Sequence, residues 1–92
     1  MSVTIHIPTP LRSYTDSEMS VNVEGTTISE AMAALLSRFP TLSKHLYDSK
    51  GNLRSFVNLY IGDEDIRQID GIDSELDDGD EITIVPSIAG GW

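Results

Sequence analysis

A chain of 92 residues accommodates one domain with a modest core and does not comfortably hold two. It contains no cysteine, which excludes a disulfide framework, a thiolate metal centre and a cysteine nucleophile. Fifteen acidic residues oppose six basic ones, a formal charge of −9, which disfavours nucleic acid and suits a basic protein surface or plain solubility.

Val3, Ile5 and Ile7 alternate with Thr4 and His6, the period of a half-buried strand, and Pro8 and Pro10 end it. A polar turn is expected around Ser13-Tyr14-Thr15-Asp16. Met19, Val21 and Val23 then alternate with polar residues as a second strand, pairing with the first as a hairpin with a long loop. Gly25 stops that strand. Thr27-Ile28-Ser29-Glu30 has the spacing of a capping box, in which a hydroxyl and a carboxylate satisfy the free N–H groups of a helix start. Ile28, Ala31, Met32, Leu35, Leu36 and Phe39 recur at helical spacing, predicting a helix over 28–38 that closes before Pro40.

The stretch 41–52 is mixed, with a short helical turn over 43–46 and a turn at Gly51-Asn52. Phe56 to Ile61 is rich in aromatic and β-branched residues and reads as a third strand. Gly62-Asp63-Glu64-Asp65 reads as a turn, with a short fourth strand starting at Ile66. After a turn at Asp77-Asp78-Gly79-Asp80, Glu81 to Pro86 forms the last strand. This order, with one helix for one sheet face, fits an α+β β-grasp (ubiquitin-like) fold. Such a fold has a mixed sheet of four to five strands, its first and last strands parallel at the centre, and one face open to water. The domain is expected to span 1–86, with 87–92 a flexible tail.

Catalytic chemistry is hard to place. His6 sits on a strand and His45 in a short turn, both expected at the surface, and neither has a triad partner that spacing alone supplies. The acidic turns at 63–65 and 77–80 lack the twelve-residue calcium loop, and no glycine-rich phosphate loop occurs. The chain is therefore expected to be no enzyme and to hold neither metal nor cofactor. Met1 to His6 lacks the basic start and apolar run of a signal peptide. No segment approaches the roughly 20 apolar residues of a membrane span, so a cytoplasmic location is expected.

The tail is more telling. Pro86 to Gly91 reaches up to roughly 20 Å when extended. Gly90 and Gly91 lack Cβ atoms and fit a narrow cleft. A glycine pair after a final strand suits a chain end that threads into another enzyme. If Val57, Leu59 and Ile61 face the core, Phe56 and Tyr60 face outward with Val85, an apolar patch for a partner to which Ile88 would add. The alternative is that loops cover these residues.

The segment from Asp78 to Gly91 resembles the C-terminal signature of the MoaD/ThiS family of sulfur carriers. Phe56 to Arg67 and Val3 to Arg12 resemble, more particularly, its CysO-type subgroup. The resemblance implies that an E1-like enzyme of the MoeB/ThiF type uses ATP to adenylate the Gly91 carboxylate, with Ala89 and Gly90 threading its cleft. The adenylate becomes a thiocarboxylate, and a biosynthetic enzyme accepts the sulfur. That acceptor makes cysteine in the CysO-like branch, molybdopterin or thiazole in the others. Nucleotide and metal belong to the partner. Trp92 departs from the family pattern, because it ties the Gly91 carboxyl into a peptide bond. Some relatives carry extra residues removed by a JAMM-type zinc peptidase, which makes Gly91–Trp92 the expected scissile bond. The alternatives are a residue added artificially or an inactive carrier. Two other functions use the same fold: a modifier conjugated to lysines through Gly91, and a non-covalent scaffold.

Overall fold

The alternation in the first segment becomes strand β1, Ser2–His6, with Val3 and Ile5 buried and their neighbours turned out. The computed structural model describes residues 2–55 and 57–86. Strand β2, Ser20–Glu24, pairs antiparallel with β1 and buries Val21 and Val23. Helix α1 spans Ile28–Arg38, the short helix α2 Ser43–Leu46, and strands β3, β4 and β5 cover Val57–Ile61, Glu64–Asp65 and Glu81–Pro86.

The sheet order is β2-β1-β5-β3-β4. β5 lies at the centre, parallel to β1 and antiparallel to β3. This is the predicted α+β β-grasp arrangement with five strands. Helix α1 lays Ile28, Ala31, Met32 and Leu35 on one sheet face, where they meet Ile5, Leu59, Ile82 and Ile84 in a single core. The other face carries Thr4, His6, Asn58, Tyr60, Thr83 and Val85, all at least partly open to water.

Four local expectations change. The short fourth strand is Glu64–Asp65, and Ile66 instead opens a 3-10 turn (Ile66–Gln68). A two-residue reversal at Gly62-Asp63 is enough, because Gly62 takes a φ of +60 that glycine tolerates. The loop after β1 is a 3-10 helix, Thr9–Tyr14, with proline in its first turn; Leu11 and Thr15 are buried, and the reversal comes at Asp16 and Ser17. Met19, placed on the core stripe by its alternation, is 65% exposed and precedes β2. The capping box is offset. Thr27 caps the Glu30 N–H as expected (3.2 Å), but the Glu30 carboxylate accepts from the Thr26 N–H (2.8 Å) and hydroxyl (2.7 Å). Gly25 lies against the helix start, where an added Cβ would stand 2.8 Å from Ala31 N.

Candidate functional site: the root of the C-terminal tail

β5 delivers the chain to the tail. It is fixed on both sides, by β1 up to Thr83 and by β3 up to Pro86, which pairs with Val57. The predicted tail residues Ile88, Ala89, Gly90, Gly91 and Trp92 lie outside the described residues, as does Phe56 of the predicted patch.

Two predicted interface residues are described, and the sheet brings them together. Tyr60 pairs with Thr83, and Val85 pairs with Asn58, so Tyr60 and Val85 are diagonal neighbours on the open face. They share a shallow hollow with Thr83, Gly62 and Asp63. Val85 is 38% exposed, and Tyr60 is half-buried. Val57 and Leu59 point to the core, so the parity expected for β3 holds.

Beside this apolar pair stands a polar cluster that sequence reasoning missed. The Arg67 guanidinium contacts both Asp65 carboxylate oxygens (3.3 and 3.1 Å) and also donates to the Asn58 side-chain oxygen. The Asp65 carboxylate accepts from the Arg67 backbone N–H as well (2.9 Å), capping the 3-10 turn. The Arg67 side-chain bond, then its backbone bond, hold the Asp65 carboxyl below the usual range, and Asp65 in turn raises Arg67. The Asp-x-Arg spacing was the available signal, but it carried no meaning until residues 64–66 were known as strand and turn.

The histidines differ from each other. His6 is surface-exposed as expected, its Nε2 2.5 Å from Glu81 Oε1 across the parallel pair. His45 is half-buried rather than fully at the surface. Its ring stacks on Tyr14 (centroids 4.1 Å apart), and its Nε2 is buried with no hydrogen-bond partner among the described residues. The short helix that carries it also buries Leu46, next to it in the chain. The acidic turns serve backbone geometry: Asp78 accepts from the Ser2 N–H (2.9 Å) and Asp80 from the Asp77 N–H (2.8 Å). Among the described residues no group of His, Asp or Glu is arranged to hold a metal, and no helix is long and apolar enough to cross a membrane.

The sequence matches the ThiS family model over residues 5–91, so the match ends on the second glycine. The sulfur carrier protein CysO of Mycobacterium tuberculosis is 41% identical over 93 residues, covering 99% of this chain and 100% of that one. Among solved structures, a chain of the Amycolatopsis orientalis BexX/CysO complex superposes with a TM-score of 0.87 at 40% identity, over 97% of this chain and 99% of that one. Small archaeal modifier protein 3 of Haloferax volcanii is 28% identical over 71% of this chain and 70% of its own length. The chain belongs to the ThiS family of ubiquitin-like sulfur-carrier proteins, and within it to the CysO type.

Proposed function

We propose that this protein carries sulfur as a thiocarboxylate on Gly91, after removal of Trp92, for the biosynthesis of cysteine. The observation that carries the reading is the family match ending at Gly91, five residues beyond a strand locked on both sides. An anchored strand followed by a tail that ends in Ala89, Gly90 and Gly91 would offer a carboxyl group with little bulk around it. A carboxylate is a poor acyl donor. Joining it to AMP supplies a leaving group, and sulfide transfer to the acyl carbon then expels AMP and leaves the thiocarboxylate. The E1-like partner provides the nucleotide site, and this chain provides the threaded end (Ala89, Gly90, Gly91) and a docking face at Tyr60 and Val85. Phe56 and Ile88 complete that face in the proposal. A JAMM-type peptidase is the proposed agent for the Gly91–Trp92 bond.

The test uses the chain ending at Gly91, ATP and an E1-like adenylating enzyme. ATP–pyrophosphate exchange is expected with this chain and not with one lacking Gly91. Equal exchange by the two would refute the assignment. A second reading, conjugation to lysines through Gly91, is favoured by the likeness to an archaeal modifier protein. Gly-Gly remnants of this tail on lysines of other cellular proteins would select it.

A further inference from the structure

Charge on this chain is sorted along its central strand. Ten of the fifteen acidic residues lie between Asp63 and Glu81. Asp63, Asp78, Asp80 and Glu81 sit where β5 begins: the Ser2 N–H donates to Asp78, the Gly79 N–H to the Ser2 carbonyl, and the Gly62 N–H to the Glu81 carbonyl, whereas Asp65 is paired with Arg67. β1 runs parallel to β5, so Ser2 and its antiparallel partner Glu24 belong to the same end.

The end where β5 finishes is different. Pro86 pairs with Val57, whose N–H donates to the Arg54 carbonyl (3.0 Å). The Arg54 guanidinium donates twice to the Lys44 carbonyl (3.1 and 3.0 Å), which ties α2 to this corner. Arg67 arrives from the other side through Asn58, the cross-strand partner of Val85, and Arg54 and Arg67 line one hollow beside Val57. Arg12 donates to the carbonyl of Ile7, just past the end of β1 (3.1 Å). Thus Lys44, Arg54 and Arg67, with Arg12 at the end of β1, lie towards the end where the tail leaves a strongly acidic protein; Asp65 is paired with Arg67 there, and Asp48 lines the hollow of Lys44 and Arg54.

We infer that this cationic collar docks against a carboxylate-bearing rim around the tail-binding cleft of the activating enzyme; the inference rests on the carrier reading above. Planar guanidinium groups pair with carboxylates in two-pronged geometry. Arg67 is already engaged by Asp65, whereas the contacts of the Arg54 guanidinium among the described residues are carbonyl oxygens, so Arg54 has its charge to offer. The acidic turn at the start of β5 does not compete. A six-residue strand separates it from the root, roughly 20 Å and about two screening lengths at physiological salt. It keeps the chain soluble and turns the cationic end towards an acidic cleft during encounter.

The experiment measures ATP–pyrophosphate exchange against concentration of the chain ending at Gly91, with an E1-like enzyme that activates the wild type. Arg54→Glu is expected to raise KM about tenfold with kcat within about twofold, the gap narrowing as salt rises. Arg54→Lys keeps the charge and should restore KM to within about threefold of wild type. The far-end double variant Glu24→Lys with Asp77→Lys should leave KM nearly unchanged. Thermal midpoints establish that all variants are folded. The inference is overturned if Arg54→Glu matches wild type, if Arg54→Lys is as poor as Arg54→Glu, or if the far-end variant shifts KM equally. Failure of the wild type itself with every E1-like enzyme would instead refute the carrier reading, and this inference with it.

Discussion

Replacing Leu59 with alanine tests the strand parity on which the docking face depends. Leu59 is 1% exposed in the middle of β3, opposite buried Ile84 and under α1. Its loss removes buried apolar contact and leaves a cavity that the surrounding sheet and helix close only in part, a cost of about 3 kcal/mol within the usual 2–5. A domain of this length holds roughly 5–14 kcal/mol, so the variant should still fold at room temperature. Its midpoint should fall by about 12–24 °C, at about 4–8 °C per kcal/mol. Tyr60→Ala, one residue along and on the open face, should cost about 1 kcal/mol. Urea unfolding of the two variants, with slopes compared to the wild type, reads both numbers. Similar losses for both, or a loss under about 1 kcal/mol for Leu59→Ala, would mean that β3 is not turned as described and that Tyr60 does not face a partner.

Three further outcomes follow from particular side chains. Thr27→Ala removes the helix N-cap and should cost about 1 kcal/mol in the same urea assay. The Glu30 carboxyl lies below its usual value of 4.5, chiefly because the Thr26 N–H, then the Thr26 hydroxyl, bonds its charged form. A lowered folded value makes the contribution full above the unfolded value, and it is lost as pH falls through the lowered one. Glu30→Gln should therefore flatten the decline in thermal midpoint below about pH 4.5, and an unchanged acid limb would contradict the bond. His45→Phe keeps the stacking on Tyr14 and removes a buried nitrogen that has no partner among the described residues, so stability should rise by about 1 kcal/mol, and a fall would show that the nitrogen has a partner.

Most of the fold was legible because periodicity and punctuation agreed. Val3 to Ile7, Ile28 to Phe39 and Glu81 to Pro86 each carried an unambiguous apolar period between glycine or proline stops, and these segments set the central β1–β5 pair and its covering helix. The errors fell where local pattern is weak. Glu64 and Asp65 form a strand because β3 offers them an edge, although acidic residues have little strand preference of their own. Thr15 is buried through the 3-10 turn before it, where its hydroxyl donates to the Arg12 and Glu18 carbonyls, a satisfaction invisible in a stretch that reads as polar. Met19 shows the opposite failure, since alternation continues one step beyond the strand.

The face of the candidate site was half legible, and its tail lies outside the described residues. The outward parity of Tyr60 and Val85 follows from the strand period. The cationic collar was not legible, because Arg12, Lys44, Arg54 and Arg67 are far apart in the chain and are placed by bonds to backbone carbonyls, an asparagine and Asp65. Net charge alone pointed to the other sign of partner surface. Tertiary structure decides here, since an average of −9 says nothing about which end of the molecule carries the exception.

The most direct measurement of the carrier role is the intact mass of the chain ending at Gly91 after incubation with an E1-like enzyme, ATP and a sulfide donor. The account predicts a gain equal to the exchange of one oxygen for sulfur, located on the C-terminal peptide and absent when Gly91 is deleted. A mass that stays unchanged while a known carrier is converted in parallel would contradict it.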